Sequence, residues 1–252
     1  MNETPLVQLD RVCVQFGRQP VLHDLSLSIH RGQTLLVIGE SGCGKTVLLK
    51  LIVGLLRPNS GRVLFEGKDL QEHSPVELTQ VRRRFGFLFQ GAALFDSLSA
   101  YENVAYPLRA LHNLAEPEIR QRVLDRLKEV GLDEAAANKM PAELSGGMRK
   151  RVGHARALAL DPEVMFYDEP TTGLDPVMTE VISNLIQQTR EQRPVTSIVV
   201  THDMKTVRRI ADRVVMLYPL ARLDPSASQI IYDGAFAGLD LSRDERVRGF
   251  VA

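Results

Sequence analysis

The sequence predicts an α/β fold with a mostly parallel core sheet, an antiparallel β edge region and an inserted helical subdomain. Three observations carry this. Continuous apolar runs at residues 34–38 (TLLVI), 164–167 (VMFY) and 195–200 (VTSIVV) read as strands buried on both faces, with helical segments between them. Two segments before them alternate apolar and polar residues instead. Residues 99–159 contain no convincing strand.

Near the start, Val7, Leu9, Val12, Val14 and Phe16 mark one apolar face, with a phase slip at Asp10 and Arg11. Leu25, Leu27 and Ile29 then alternate with Ser26, Ser28 and His30, so both segments are expected as half-buried antiparallel strands. The run at 34–38 is the first core strand, followed by a glycine-rich turn and a helix from Lys45 to about Leu56. Within 116–130, Ile119, Val123, Leu124, Leu127 and Val130 recur at helical spacing. After Asp212, residues 214–217, a Pro-containing loop and 229–232 form a late hairpin with an enlarged turn, and a short helical tail begins near Arg243. One domain over 1–252 is expected, with an α/β core at 1–98 and 160–240, a helical subdomain at 99–159 and a tail at 241–252.

The 252 residues are 44% hydrophobic and 25% charged, which excludes disordered and collagen-like chains. Basic and acidic residues number 31 each, without the basic excess of a dedicated nucleic-acid binder. Cys13 and Cys43 form no spaced framework, which favours a reducing compartment. The most apolar stretch, 47–56, is interrupted by Lys50 and Gly54 and falls well below the ~18 residues of a membrane span. The first ten residues lack the basic start and apolar core of a signal peptide. A cytosolic chain is expected, with any membrane role coming through a partner.

Gly39-Glu40-Ser41-Gly42-Cys43-Gly44-Lys45-Thr46 matches GxxxxGK[ST] between a predicted strand and a predicted helix. The glycines let backbone N–H groups close around phosphate oxygens at the positive end of the helix dipole. Lys45 supplies charge to the β- and γ-phosphates, and Thr46 offers a hydroxyl to Mg²⁺. Binding of a nucleoside triphosphate follows. Cys43 occupies an x position of the pattern and is either inert or an oxidation-sensitive point of the loop.

The run at 164–167 ends in Asp168 and Glu169. At the carboxyl end of a buried strand, Asp168 can hold Mg²⁺ and Glu169 can orient or deprotonate an attacking water. His202 ends the third core run, where it can reach a γ-phosphate; His23, His30, His73, His112 and His154 have no comparable setting. Leu144-Ser145-Gly146-Gly147-Met148 precedes a helix-forming stretch at 149–160, making a second anion site.

Taken in order, these motifs resemble the ATP-binding cassette (ABC) ATPases over nearly the whole chain. The resemblance adds a glutamine-containing loop at Phe87-Leu88-Phe89-Gln90, a distal-loop aspartate at Asp175 and an adenine-stacking ring at Phe16. It implies an ABC-type P-loop NTPase fold and a head-to-tail homodimer enclosing two ATP molecules. Lys45, Gln90, Glu169 and His202 would be catalytic, and Thr46, Gln90 and Asp168 would hold Mg²⁺. Ser145, Gly146 and Gly147 would come from the other subunit. The signature departs from the family at Met148, where Gln is usual; the backbone there still starts the helix.

Residues 89–99 (FQGAALFDSLS), 101–108 (YENVAYPL), 144–151 (LSGGMRKR) and 244–250 (DERVRGF) resemble, more narrowly, the ATPases of bacterial intermembrane phospholipid (Mla) transport. That resemblance implies an MlaE-type permease, a periplasmic MCE-domain protein and often a STAS-domain subunit, with this chain peripheral on the cytoplasmic face of the inner membrane. The groove near Gln90 would take the permease's coupling helix. Val247, Phe250 and Val251 of the tail pack either on the chain's own core or on the neighbouring subunit. The cluster Arg82-Arg83-Arg84 reads as a solvated face in preference to a lipid-binding patch. Alternatives are a cassette driving another substrate's permease, a non-transport ABC protein and a soluble P-loop kinase; the second would carry a long coiled coil between Lys45 and Asp168, and the third would lack the LSGGM signature.

Overall fold

The computed structural model describes residues 4–111, 114–224 and 227–251, so His112 lies outside it. The chain begins with β1 (Val7–Phe16), β2 (Gln19–Ile29), β3 (Thr34–Ile38), α1 (Lys45–Ile52), β4 (Ser60–Phe65), β5 (Lys68–Asp69) and α2 (Pro75–Arg83). Next come β6 (Phe85–Leu88), α3 (Ala100–Leu111), α4 (Glu116–Glu129), α5 (Glu134–Ala137) and α6 (Gly146–Leu158). It ends with β7 (Val164–Asp168), α7 (Pro176–Gln192), β8 (Thr196–Val200), α8 (Met204–Ile210), β9 (Arg213–Leu217), β10 (Ile230–Gly234) and α9 (Glu245–Val251). The described residues fall into two compact units, one running to Arg82 and resuming at Pro194, the other spanning Arg83–Arg193.

The first unit contains an antiparallel sheet in the order β2-β1-β4-β5. The phase slip at Asp10 and Arg11 is a break in β1 register between Leu9 and Val12, with Arg11 at φ 47°. In the same unit β3 pairs in parallel with β8 and β9, and β10 adds antiparallel to β9. Every residue of β3 and β8 is buried, as continuous apolar runs require.

α1 ends four residues before the expected Leu56. Gly54 adopts φ 67°, its N–H bonds Leu51 O, and Leu55 N–H bonds Lys50 O, so the chain turns off the helix axis there. Arg82 donates to Val53 O at 3.2 Å and to Gly54 O, covering the same carbonyls.

In the second unit β6 and β7 pair in parallel, Leu88 opposite Tyr167. Phe166 stacks on Phe87 and meets Phe85 edge-on. Arg84, at the entry to β6, donates to both carboxylate oxygens of Glu163, at the entry to β7, at 2.6 and 2.7 Å. Arg82 and Arg84 are thus half-buried and bonded, which replaces the expected solvated face. α4 buries Ile119, Val123 and Leu127, the stripe its spacing predicts. In the tail, Val247 is fully buried on its own chain and Arg246 lies 5.0 Å over the Tyr218 ring, whereas Phe250 and Val251 are half-buried. For Val247 the first of the two expected packings holds. Among the described residues no helix is long and apolar enough to cross a membrane.

Candidate active site

The phosphate turn leaves the carboxyl end of β3. Gly39 sits at φ 141°, and a Cβ there would lie 2.2 Å from Leu217 O of the adjacent strand β9, so only glycine fits. The Lys45 ammonium is drawn over the turn, donating to Gly39 O at 2.6 Å and Glu40 O at 2.9 Å. Ser41, Gly42 and Thr46 are exposed, and the first turn of α1 carries no acidic residue to oppose its dipole. Cys43 points inward and is buried; desolvation pushes its thiol above the usual range despite the nearby Lys45 charge. A protonated, buried thiol is the inert alternative of the two expected.

Two residues outside the motif grip this turn. Gln229 is buried, its Nε2 donating to Cys43 O and Val21 O, both at 3.0 Å, while its Oε1 accepts from His23 N at 3.2 Å. Arg222 donates to both Glu40 carboxylate oxygens at 3.0 and 2.7 Å. His202 follows β8, the parallel neighbour of β3, so it is exposed at the same sheet edge as the turn. Phe16 ends β1 with its ring 53% exposed, open to a stacking partner.

In the second unit Asp168 closes β7, and Glu169 follows at φ 48°, a left-handed conformation costing roughly 1 kcal/mol for a non-glycine residue. Thr172 Oγ1 donates to Glu169 Oε2 at 2.9 Å, and Lys150 Nζ donates to Glu169 O at 3.1 Å. Lys150 is only 5% exposed; burial brings its pKa down to about 8, opposed by the Asp168 and Glu169 charges. Gln90 lies just beyond β6, beside β7, and with Gly146, Arg149, Lys150 and Thr172 lines a cleft of about 160 Å³.

Ser145 is the N-cap of α6, its Oγ accepting from Met148 N at 3.2 Å, so the helix begins at Gly146, earlier than expected. The contact uses the Met148 backbone, so methionine in place of glutamine leaves the cap intact. A Cβ on Gly147 would lie 2.3 Å from Met178 Cε, which gives this glycine a packing role on α7. Asp175 is exposed and caps α7, accepting from Met178 N at 2.9 Å. Beside the same strands an apolar groove of about 310 Å³ is lined by Phe85, Phe87, Phe89, Phe95, Tyr106 and Pro107. Its rim exposes Phe89, Phe95 and Tyr106 by 41, 43 and 50%.

The model of the ABC transporter family matches residues 22–172. The chain belongs to the ABC transporter ATP-binding family. As a member it is an ATPase, and its resemblance to the Mla branch runs from end to end. It is 42% identical over 251 residues to the intermembrane phospholipid transport system ATP-binding protein MlaF of Haemophilus influenzae, covering 100% of this chain and 91% of that one. It is also 44% identical over 214 residues to the probable ribonucleotide transport ATP-binding protein mkl of Mycobacterium leprae, covering 84% of this chain and 61% of that longer protein. The ADP- and Pi-bound dimeric post-hydrolysis structure of the ATP-binding cassette MJ0796 matches with TM-score 0.79 and 32% identity, covering 91% of this ABC ATPase and 98% of that cassette.

Four residues that hold candidate site residues are not singled out by the sequence: Lys150 and Thr172 against Glu169 in one unit, and Arg222 and Gln229 against the turn at Glu40 and Cys43 in the other. Lys150 and Thr172 lie within motif neighbourhoods; for Lys150 a polar residue on the inward face of α6 is the available signal, and Thr172 sits in the turn between β7 and α7. Gln229 and Arg222 lie more than 180 positions from the residues they hold, and no local pattern marks them.

Proposed function

We propose that the chain is the ATP-hydrolysing subunit of a phospholipid transporter, working as a nucleotide-sandwich homodimer on an MlaE-type permease. The end-to-end likeness to the Haemophilus influenzae MlaF carries this reading. The exposed aromatic groove at Phe89, Phe95 and Tyr106 supports it, since an exposed apolar surface of this kind suits an apolar segment of a membrane partner. Through that permease the chain would sit on the cytoplasmic face of the inner membrane and connect to an MCE-domain protein, with or without a STAS-domain subunit.

In this reading the phosphate turn, Gly39 to Thr46, cradles the ATP phosphates and Phe16 stacks on adenine. Glu169 orients and deprotonates the attacking water, Lys45 and His202 contact the γ-phosphate, and Gln90 reads its presence. Ser145, Gly146 and Gly147 of the other subunit close the site, with Asp175 beside them. Thr46, Gln90 and Asp168 offer only hard oxygen donors, which fits Mg²⁺. Among the described residues no group of three or more His, Cys, Asp or Glu could cage a metal, so the ion would be shared with the phosphates. Bound there, it would neutralise charge developing on the phosphates.

The test is native purification from membranes through a tag on this chain, with co-purified proteins and lipids identified by mass spectrometry. An MlaE-type permease, an MCE protein and bound phospholipid are expected. Another permease, including one that carries ribonucleotides, would replace the cargo and keep the ATPase. A soluble homodimer alone would remove the transport role.

A further inference from the structure

We propose that Lys150 is a positioning residue through which helix α6 holds the general base of its own subunit, linking the two ATP sites of a dimer. The inference rests on the reading of Glu169 as base and of Ser145 to Gly147 as a contact to the partner's nucleotide. The α6 helix begins at Gly146 with Ser145 as its cap, and in that reading its N-terminal end is the part that meets the partner's nucleotide. One turn further on, Lys150 is turned inward, 5% exposed, and its ammonium donates to Glu169 O at 3.1 Å.

A buried ammonium is costly unless it is bonded and compensated. Here the bonded carbonyl belongs to a residue at φ 48°, and the Asp168 and Glu169 carboxylates supply compensating charge. Among its restraints in the same unit, Thr172 Oγ1 holds the Glu169 carboxylate, while Lys150 Nζ at 3.1 Å and Thr172 N–H at 3.3 Å both donate to its backbone carbonyl. Removing Lys150 leaves that carbonyl with the longer Thr172 N–H bond, so the strained left-handed residue can relax toward negative φ and swing the carboxylate away from its set direction. Because Lys150 also lines the cleft with Gln90 and Gly146, any displacement of the α6 N-terminus moves the ammonium and the base together. Nucleotide engaged by one subunit's Ser145 would then be felt at that subunit's own Glu169.

The test uses heterodimers purified through two different tags, one subunit always carrying Glu169→Gln. Surviving turnover then belongs to the site that uses the intact Glu169. Lys150→Met beside that intact Glu169 should lower kcat about tenfold, the scale of one charge-assisted hydrogen bond, with the KM for ATP within about twofold. The same substitution on the Glu169→Gln subunit should leave kcat within about twofold, and Lys150→Arg beside the intact base should recover most of the loss. A loss that is equal from either subunit, larger from the opposite one, or shared by Lys150→Arg would overturn the proposal. If Lys150→Met fails to fold, Lys150→Gln takes its place with the same expectations. A Glu169→Gln homodimer hydrolysing ATP at the wild-type rate would overturn the underlying reading of the base, and the proposal with it.

Discussion

His154, in the middle of α6, makes the protein acid-sensitive through a single buried imidazole. It is fully buried, and its Nε2 lies 3.3 Å from both Tyr167 Oη and Thr189 Oγ1. The Thr189 hydroxyl gives its proton to Leu185 O at 2.8 Å, so toward His154 it can only accept. That assigns the proton of the neutral ring to Nε2 and leaves Nδ1 as the buried nitrogen without a partner. A second proton would go to Nδ1, where nothing accepts it, and burial, with Arg193 adding repulsion, lowers the pKa from 6.5 to about 4. The folded pKa is depressed, so the stabilisation is present above the unfolded value and drains away as pH falls from 6.5 toward 4. The full shift is worth about 3 kcal/mol, of which about 2 kcal/mol is lost between pH 7 and pH 5. Urea unfolding at both pH values, for wild type and His154→Gln, isolates this contribution, since the carboxylates titrate alike in both. Wild type should lose about 2 kcal/mol more than the variant on acidification. Equal losses would refute the buried neutral imidazole.

Glu169→Gln should retain ATP binding while slowing turnover by at least ~10²-fold in a steady-state phosphate-release assay; near-normal release would remove Glu169 as base. Lys45→Ala and Ser145→Arg chains, each inactive alone, should regain activity when mixed, because every heterodimer contains one intact composite site. A mixture of proven heterodimers no more active than its parts would exclude sites shared between subunits. Gln229→Leu strands the carbonyls of Cys43 and Val21 and should raise the ATP dissociation constant about tenfold, at the low end of the cost of unpaired buried groups. Unchanged affinity in nucleotide titration would show that the turn holds its shape without that amide.

What could be read in advance follows from how local each signal is. β3, β7 and β8 announce themselves because a strand buried on both faces must be apolar throughout, and the phosphate turn because its glycines and Lys45-Thr46 are contiguous. β6 has only four residues, FGFL, with alternating burial, and too few positions to establish a period. β4 opens on Ser60-Gly61-Arg62 and β5 has two residues, so this part of the antiparallel sheet has no apolar run to find. Arg82 and Arg84 look like a basic surface in the chain, and their half-buried settings come from partners at Val53 and Glu163. Within the candidate site, Ser145 is legible as a residue type at a helix start, whereas Asp175 is marked only by the family resemblance and its capping of α7 appears in the fold. The inward turn of Lys150 and the reach of Gln229 are properties of the packed tertiary structure, set by residues far along the chain.

The pairing of β3 has a consequence for biosynthesis. Within its unit the strand finds both partners downstream, Ser197 opposite Thr34 and Met216 opposite Ile38, so its neighbours are made about 160 to 180 residues later. At ribosomal speeds of roughly 5–20 residues per second, that is a wait of about 8 to 36 seconds for the most apolar strand and the turn it carries. During translation the nascent chain exposes a sticky, unpaired segment, and the phosphate turn cannot acquire its Gln229 clamp until the last tenth of the chain has emerged. Premature termination anywhere before β9 therefore yields a product that chaperones and proteases meet as an open edge.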